Sequence, residues 1–499
     1  MRLKTPPIKM TVRPEMAVLC IATASWLSIA SYTVASPAHA QSLTEALVST
    51  YTNNPQLRAA RAELRAVDER VNQAKGGYRP NIDAATSVGH EWVNNRRAEG
   101  RYDAATGERV FGPIVETTPQ STRLSLTQPV FRGFRTVRAI ERAENEVMAQ
   151  RSRLASTEQN ILLNAAVAYL DVYRDQAVVD LTINNERVLQ RQLEAAGDRF
   201  RVGEITKTDV SQAEARVAGA TAGRAASEGN LIQSRATYLR FVGSQPGVLP
   251  QPELTLTIAS SLEETLSAAM THDPDVLAAQ YLEIASRQSI HEAEGELLPE
   301  VNLRSNWTRT LEQGGNQAQQ ADVYTVLAEL RVPLYEQGVA YSKVRQAKQT
   351  AGQRRLDIET ARRTSSERAT QSWQALVTSR AQIVSYKAQV DAANVALEGV
   401  RQEATVGSRT VLDVLDQEQE ALDARVNLVR AQREEAVAQF RVAAAMGNLT
   451  AMGLNLPVEK YDVTKHYDEV KNKLIGVKGD PDDLTGPDTT KQNPPPKIK

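Results

Sequence analysis

The chain has 499 residues, a formal charge of −1, and 24% charged against 5% aromatic residues. Such a length ordinarily holds about three domains, but a composition rich in Ala, Gln, Glu and Arg favours long solvent-flanked helices over a thick core. Charge so near balance offers no basic patch, so no nucleic-acid partner is expected.

In chain order, residues 1–40 have the form of a secretory signal peptide. A basic start (Arg2, Lys4, Lys9, Arg13) precedes an apolar run from Ala17 to Ala35 and the A-x-A pattern Ala38-His39-Ala40, which makes Gln41 the expected mature N-terminus. The only cysteine, Cys20, lies in that run, so no disulfide or thiolate metal site is expected in the mature chain. No later apolar run reaches the length of a membrane helix, so any span must be a β-barrel.

Leu43 to Lys75 has helical period, broken at Asn54-Pro55 and ended by Gly76-Gly77 and Pro80. The plan returns 219 positions later, with Pro55 matched by Pro274 and Pro80 by Pro299, which marks an internal duplication. The expected division is a first repeat over 41–247 and a second over 248–456.

Beyond each of Pro80 and Pro299 the period changes to two. Ile82, Ala84, Thr86 and Val88 alternate with polar or small residues, as do Leu124 and Leu126, then Val301 and Leu303, then Tyr324, Val326, Ala328 and Leu330. One β-hairpin per repeat is expected, at about 80–130 and 299–333, with strands of about ten residues, the length of a tilted membrane strand. Trp92, Phe131, Trp307 and Tyr335 are expected near strand ends, as interfacial aromatics. Four strands cannot close a barrel, so in lipid several chains must pool theirs.

From about Phe134 to Arg201, and again from Val339 to Val406, no proline intervenes, and Ile140, Val147, Leu154, Ile161 and Ala168 recur at sevens. Each run predicts about 100 Å of helix at about 1.5 Å per residue. Shorter helices follow at Thr206 to Val242 and Thr410 to Met446. Such a helix and the one after Pro55 or Pro274 together nearly match a long one, so two stacked end to end would run beside it. After Leu456 the composition is low-complexity, and 457–499 is expected to be disordered.

The turns between long and short helices read Arg199-Phe-Arg-Val-Gly-Glu-Ile-Thr-Lys-Thr-Asp209 and Glu403-Ala-Thr-Val-Gly-Ser-Arg-Thr-Val-Leu-Asp413-Val-Leu-Asp416. Gly203 and Gly407 suit a left-handed C-cap, while Thr206 and Thr410 suit N-caps with Asp209 and Asp413 at N3. Capping and the helix dipole account for both of these acids without any function. Asp416 is different: one turn beyond Asp413 and flanked by Val414 and Leu415, it has no role in a cap. Arg409 reads equally well as a solvated turn residue. The five histidines lack metal-ligand spacing, and no phosphate loop, G-x-S-x-G or Cys/His pair occurs, so no catalytic residue, metal or cofactor is expected.

These features together, and above all the string Val-Gly-Ser-Arg-Thr-Val-Leu-Asp-Val-Leu-Asp in a duplicated context, resemble the TolC family of outer-membrane efflux channels over roughly Leu43 to Gly447. The resemblance implies a mainly α fold with a small β part. Duplicated long-helix hairpins would form a trimeric α-helical barrel, and four strands per chain would enter a shared 12-stranded transmembrane β-barrel. It also implies an outer-membrane location with a large periplasmic portion, and docking to a periplasmic adaptor and an inner-membrane ABC or RND transporter for efflux or type I secretion, with no chemistry of its own. Carried over by position, Asp413 and Asp416 match the acids ringing the periplasmic entrance, Arg409 the arginine of its closing network, and Thr208 and Asp209 that network's partners in the first repeat. Ala404 stands where family members often have tyrosine. The competing expectation is a soluble periplasmic coiled-coil scaffold with small β-hairpin heads.

Overall fold

The computed structural model describes residues 42–94, 104–108, 114–252, 256, 258–312 and 320–477. The expected signal peptide lies outside them. Each repeat opens with two helices in line: α1 (Leu43–Asn53) and α2 (Pro55–Lys75), then α5 (Leu262–His272) and α6 (Pro274–Glu294). A Ser42–Glu45 capping box starts α1, and Asn54 ends α1 while capping α2, its Oδ1 accepting from the Gln56 amide at 2.9 Å. Pro55 and Pro274 occupy first-turn positions, where a missing N–H is no loss.

The strands are β1 (Asn81–Val88), β2 (Glu91–Asn94), β3 (Ile114–Thr117), β4 (Gln120–Arg132), β5 (Glu300–Leu311) and β6 (Gln320–Arg331). One antiparallel sheet has the order β1-β4-β5-β6, so β4 and β5 join the two repeats, while β2 and β3 form a separate ribbon. That ribbon divides the first hairpin, expected as one pair of long strands, into two. Pro129 has no N–H for the ladder, and the β4–β5 register shifts between it and Phe131.

Register fixes what each face of the sheet carries. Ile82 lies opposite Leu126, Leu124 opposite Trp307, and Trp307 opposite Tyr324, so these apolar side chains share one face with Leu303, Val326 and Leu330. The other face carries Asp83, Ser125, Asn306 and Thr325 in a row. Ile82, Tyr324, Val326 and Leu330 are exposed in the chain. Trp307, expected near a strand end, sits mid-strand, and its ring centroid is 6.4 Å from that of Tyr324.

The helical part follows the length argument closely. The long helices α3 (Arg135–Arg201) and α7 (Val339–Thr405) have 67 residues each. The returning helices α4 (Lys207–Val242) and α8 (Val411–Ala445) have 36 and 35 residues, and α2 and α6 have 21 each. In each repeat the returning helix and the in-line helix pack beside the same long one, α4 and α2 on α3, α8 and α6 on α7. Val147, Leu154, Ile161 and Ala168 are buried along α3, the seam their spacing predicts. The main core surrounds Leu47, Leu57, Leu162, Tyr169, Tyr238 and Phe440, at mid-length where α1, α4 and α8 meet α3.

The expectation of disorder from residue 457 is corrected for residues 457–477. This segment returns along α1 and α2 and includes the short helix α9 (Lys465–Val470). The Tyr461 amide donates to Tyr51 Oη at 3.1 Å, Arg65 Nη1 donates to Tyr461 Oη at 3.2 Å, and Asn72 Nδ2 donates to the Lys473 carbonyl at 3.0 Å. Arg61 stacks over the rings of both Tyr51 and Tyr461. Composition is sparse in apolar residues here, but a few aromatics with matching partners suffice to dock the strand. Residues beyond 477 lie outside the described part.

Candidate functional site at the helical tips

At both tips the chain turns in the same way. Gly203 and Gly407 have φ of 79° and 80°, the left-handed region that favours glycine. The Glu204 amide donates to the Arg199 carbonyl at 2.9 Å, and the Ser408 amide to the Glu403 carbonyl at 3.0 Å, so each long helix ends in a Schellman-type closure. The Gly407 amide donates to the carbonyl of Ala404, so this turn closes without the tyrosine side chain of the family pattern.

Each returning helix starts with a capping box. Asp209 Oδ2 accepts from the Thr206 amide and hydroxyl, both at 2.8 Å, and the Asp209 amide donates back to Thr206 Oγ1 at 3.3 Å. Asp413 repeats this with Thr410 at 2.9, 2.9 and 3.2 Å. The Thr206 hydroxyl and amide hold the Asp209 carboxyl below the usual carboxylate range. For Asp413 the Thr410 amide acts first and its hydroxyl second, with a smaller contribution from Arg409.

Arg409 donates through Nε to Glu403 Oε2 at 2.9 Å, back across its own turn. Glu403 first, and then Asp413, raise the already high guanidinium pKa. Within the chain the structure therefore joins Arg409 to Glu403 and not to Thr208 or Asp209. Thr208 is exposed on the first turn of α4, and its side chain makes no hydrogen bond among the described residues.

The two tips are nonetheless tied together. Val414 and Leu415 are buried, and Leu415 packs with Leu189 and Ala196 of α3 and Ala213 of α4. That contact turns Asp416 outward along α4, where Arg216 Nη2 donates to its Oδ1 in an ion pair between residues 200 positions apart. Arg216 was not among the residues singled out from sequence. Its one signal there is an opposition of charge: the position equivalent to Arg216 in the second repeat, 204 residues on, is Glu420. Below the tips each hairpin has its own strut, Glu186 accepting from Thr221 Oγ1 at 2.7 Å and Arg224 Nη1 at 3.0 Å in the first, and Glu418 accepting from Arg401 Nε at 3.1 Å in the second. The site thus holds carboxylates on a turn that caps and one ion pair can fasten or release, and it presents no nucleophile–base pair.

The sequence matches the family described as outer membrane efflux protein over residues 46–244 and 265–448. The outer membrane efflux protein BepC of Brucella suis biovar 1 is 32% identical over 438 residues, which cover 88% of this chain and 92% of that protein. The outer membrane protein TolC of Vibrio cholerae is 25% identical over 433 residues, covering 85% and 95%. Among solved structures, the Campylobacter jejuni CmeC outer membrane channel aligns with a TM-score of 0.71 over 86% of this chain and 89% of its own, at 14% identity, a likeness of fold.

Proposed function

The chain belongs to the outer membrane efflux protein family, and on that footing we propose that three copies form one channel-tunnel closed at its periplasmic end by the paired tips. The protein is an outer-membrane channel that exports substrates as part of an efflux or type I secretion system. The observation that carries the trimer is the open sheet. Among the described residues its outer strands β1 and β6 each leave one edge unpaired, and one face is apolar and exposed. In lipid an unpaired edge is excluded, so the four strands must find neighbours. Three copies give twelve strands in a single barrel. The long helices support the same reading: Leu356, Val384 and Val395 of α7 are exposed and apolar, positioned for a second copy.

The tips then form a ring. Asp413 and Asp416 from three chains supply six carboxylates around the entrance, which attract cations. On this reading Arg409, which pairs with Glu403 within its own turn in the single chain, exchanges that partner for Thr208 and Asp209 when the ring closes. A periplasmic adaptor and an inner-membrane ABC or RND transporter are the expected partners, and the protein carries out no chemistry itself. A soluble scaffold is disfavoured by the apolar sheet face. Single-channel recording in planar bilayers tests the reading: the cation preference should fall when Asp413 and Asp416 are both changed to Asn. Unchanged selectivity would remove these two residues from the entrance.

A further inference from the structure

Asn54 and Asp273 hold equivalent places in the two repeats, each between a short helix and the in-line helix that follows. Both cap the second helix, Asn54 Oδ1 accepting from the Gln56 amide and Asp273 Oδ1 from the Asp275 amide, each at 2.9 Å. Only the asparagine also has protons to give. Its Nδ2 donates to the Phe241 carbonyl at 3.0 Å, and Ser49 Oγ donates to the Val242 carbonyl at 3.0 Å, so the first joint is tied to the end of α4. A carboxylate has no such donor. Beside Asp273 there is instead a cavity of about 430 Å³ bounded by α3, α7 and α8.

Gln159, Ser372 and Asp273 are its buried lining, and Arg368, Gln371 and Arg441 are exposed at its rim. Gln159 is 6% exposed, and its Nε2 is buried with no hydrogen-bond partner among the described residues. Arg441 makes no ion pair among the described residues. Arg368 is loosely held, its Nη1 3.4 Å from Asp275 Oδ2 and 3.9 Å from Asp273 Oδ2. Among the described residues the Arg441 guanidinium and the Gln159 amide are therefore donors left without a partner, while Arg368 is shared weakly between Asp275 and Asp273, one of whose oxygens already serves the helix cap.

We propose that this cavity is a binding site for a small oxyanion, a carboxylate or phosphate group, with Arg441 and Arg368 meeting its charge and the Gln159 amide donating to one oxygen. A planar fork of N–H donors suits either group. The volume falls in the range of about 300–1,000 Å³ usual for small-molecule sites. A water molecule alone would satisfy Gln159 but would leave Arg441 without a counter-charge. Because α3 belongs to the first repeat and α7 and α8 to the second, the bound anion braces the seam between repeats.

The test is calorimetric titration of the intact, detergent-solubilised protein with inorganic phosphate and, separately, with citrate, at fixed ionic strength. The expected result is saturable binding at one site per chain, weakened about tenfold or more by Arg441→Gln and by Gln159→Leu, the scale of a lost charge-assisted or buried hydrogen bond. Arg441 is exposed, so its replacement leaves the fold in place. Gln159→Leu removes an orphan donor and is expected not to lower the melting temperature. Binding of phosphate alone assigns the site to phosphate groups, and binding of citrate alone to carboxylates. No saturable binding of either, or binding that both variants leave unchanged, overturns the proposal.

Discussion

Reversing Arg216 to Glu should open the tunnel. The Arg216–Asp416 pair is the ionic tie between the two tips, and its side chains are 41% and 55% exposed. At that exposure a pair contributes about 0.2–1 kcal/mol. In the proposed trimer three such pairs release together, about 0.6–3 kcal/mol in all, which at about 1.4 kcal/mol per tenfold shifts the closed-to-open ratio by roughly 3-fold to 100-fold. Charge reversal goes further than deletion, because it sets two carboxylates against each other where Leu415 holds α8 in place. The assay is conductance of purified trimers in planar bilayers. Arg216→Glu and Asp416→Arg should each raise open probability, and the double exchange Arg216→Glu/Asp416→Arg should return it toward wild type, since the pair is restored with its polarity inverted. If the singles conduct like wild type, or if their effects simply add in the double variant, the two residues are not coupled and the tie does not hold the entrance.

Acid should act on the tips only at low pH. Asp209 and Asp413 have folded pKa values below the ordinary carboxylate range, so their stabilisation is complete above about pH 4–5 and is lost as pH falls through those lower values. Open probability is therefore expected to stay flat from neutral pH to about 5 and to rise only below about 4, with Thr410→Ala moving the onset upward because the hydroxyl that holds Asp413 is gone. Gly407→Ala should cost about 1–2 kcal/mol at the tip, seen as faster local hydrogen exchange. An added Cβ there meets nothing within 4 Å, so the cost is the left-handed backbone alone. Tyr461→Ala removes the side-chain partner of Arg61 and Arg65 while keeping the backbone donor to Tyr51, and should lower thermal stability by about 1–3 kcal/mol while exposing residues 457–477 to protease.

Much of this architecture could be read before any coordinates because its signals are local. The Asn54-Pro55 joint, the Gly203 and Gly407 turns and the Thr206–Asp209 and Thr410–Asp413 boxes each depend on a few adjacent residues. The expected helix from Phe134 to Arg201 differs from the one found by a single residue, since a run without proline or tight turn leaves the helix nowhere else to stop. The failures share the opposite property. That Asp416 meets Arg216, that Tyr461 reaches Arg65 nearly 400 positions away, and that Trp307 falls mid-strand all depend on how distant elements lie against one another. Neither periodicity nor capping encodes that relation. The segment after Leu456 shows it best, because composition alone argues against order there and three or four specific contacts reverse the result.

A duplicated chain arranged in a ring has two kinds of seam, one within each chain and one between chains, and the residues make them physically different. Inside the chain, the seam ends in the exposed Arg216–Asp416 pair. Toward a neighbouring copy, α7 offers Leu356, Val384 and Val395 along its shaft, all more than two-thirds exposed in the single chain. Salt acts on these oppositely. At about 1 M ionic strength the screening length shrinks to about 3 Å and the exposed pair loses most of its attraction, while apolar contact is not weakened. Raising salt should therefore increase open probability beyond the proportional rise in bulk conductivity, yet leave the trimer intact on size exclusion. The Arg216→Glu variant, in which salt instead screens a repulsion between two carboxylates, should lose this excess. Dissociation at high salt would mean that charge, not apolar contact, joins the copies, and an excess that persists in Arg216→Glu would place the salt-sensitive tie elsewhere at the tips.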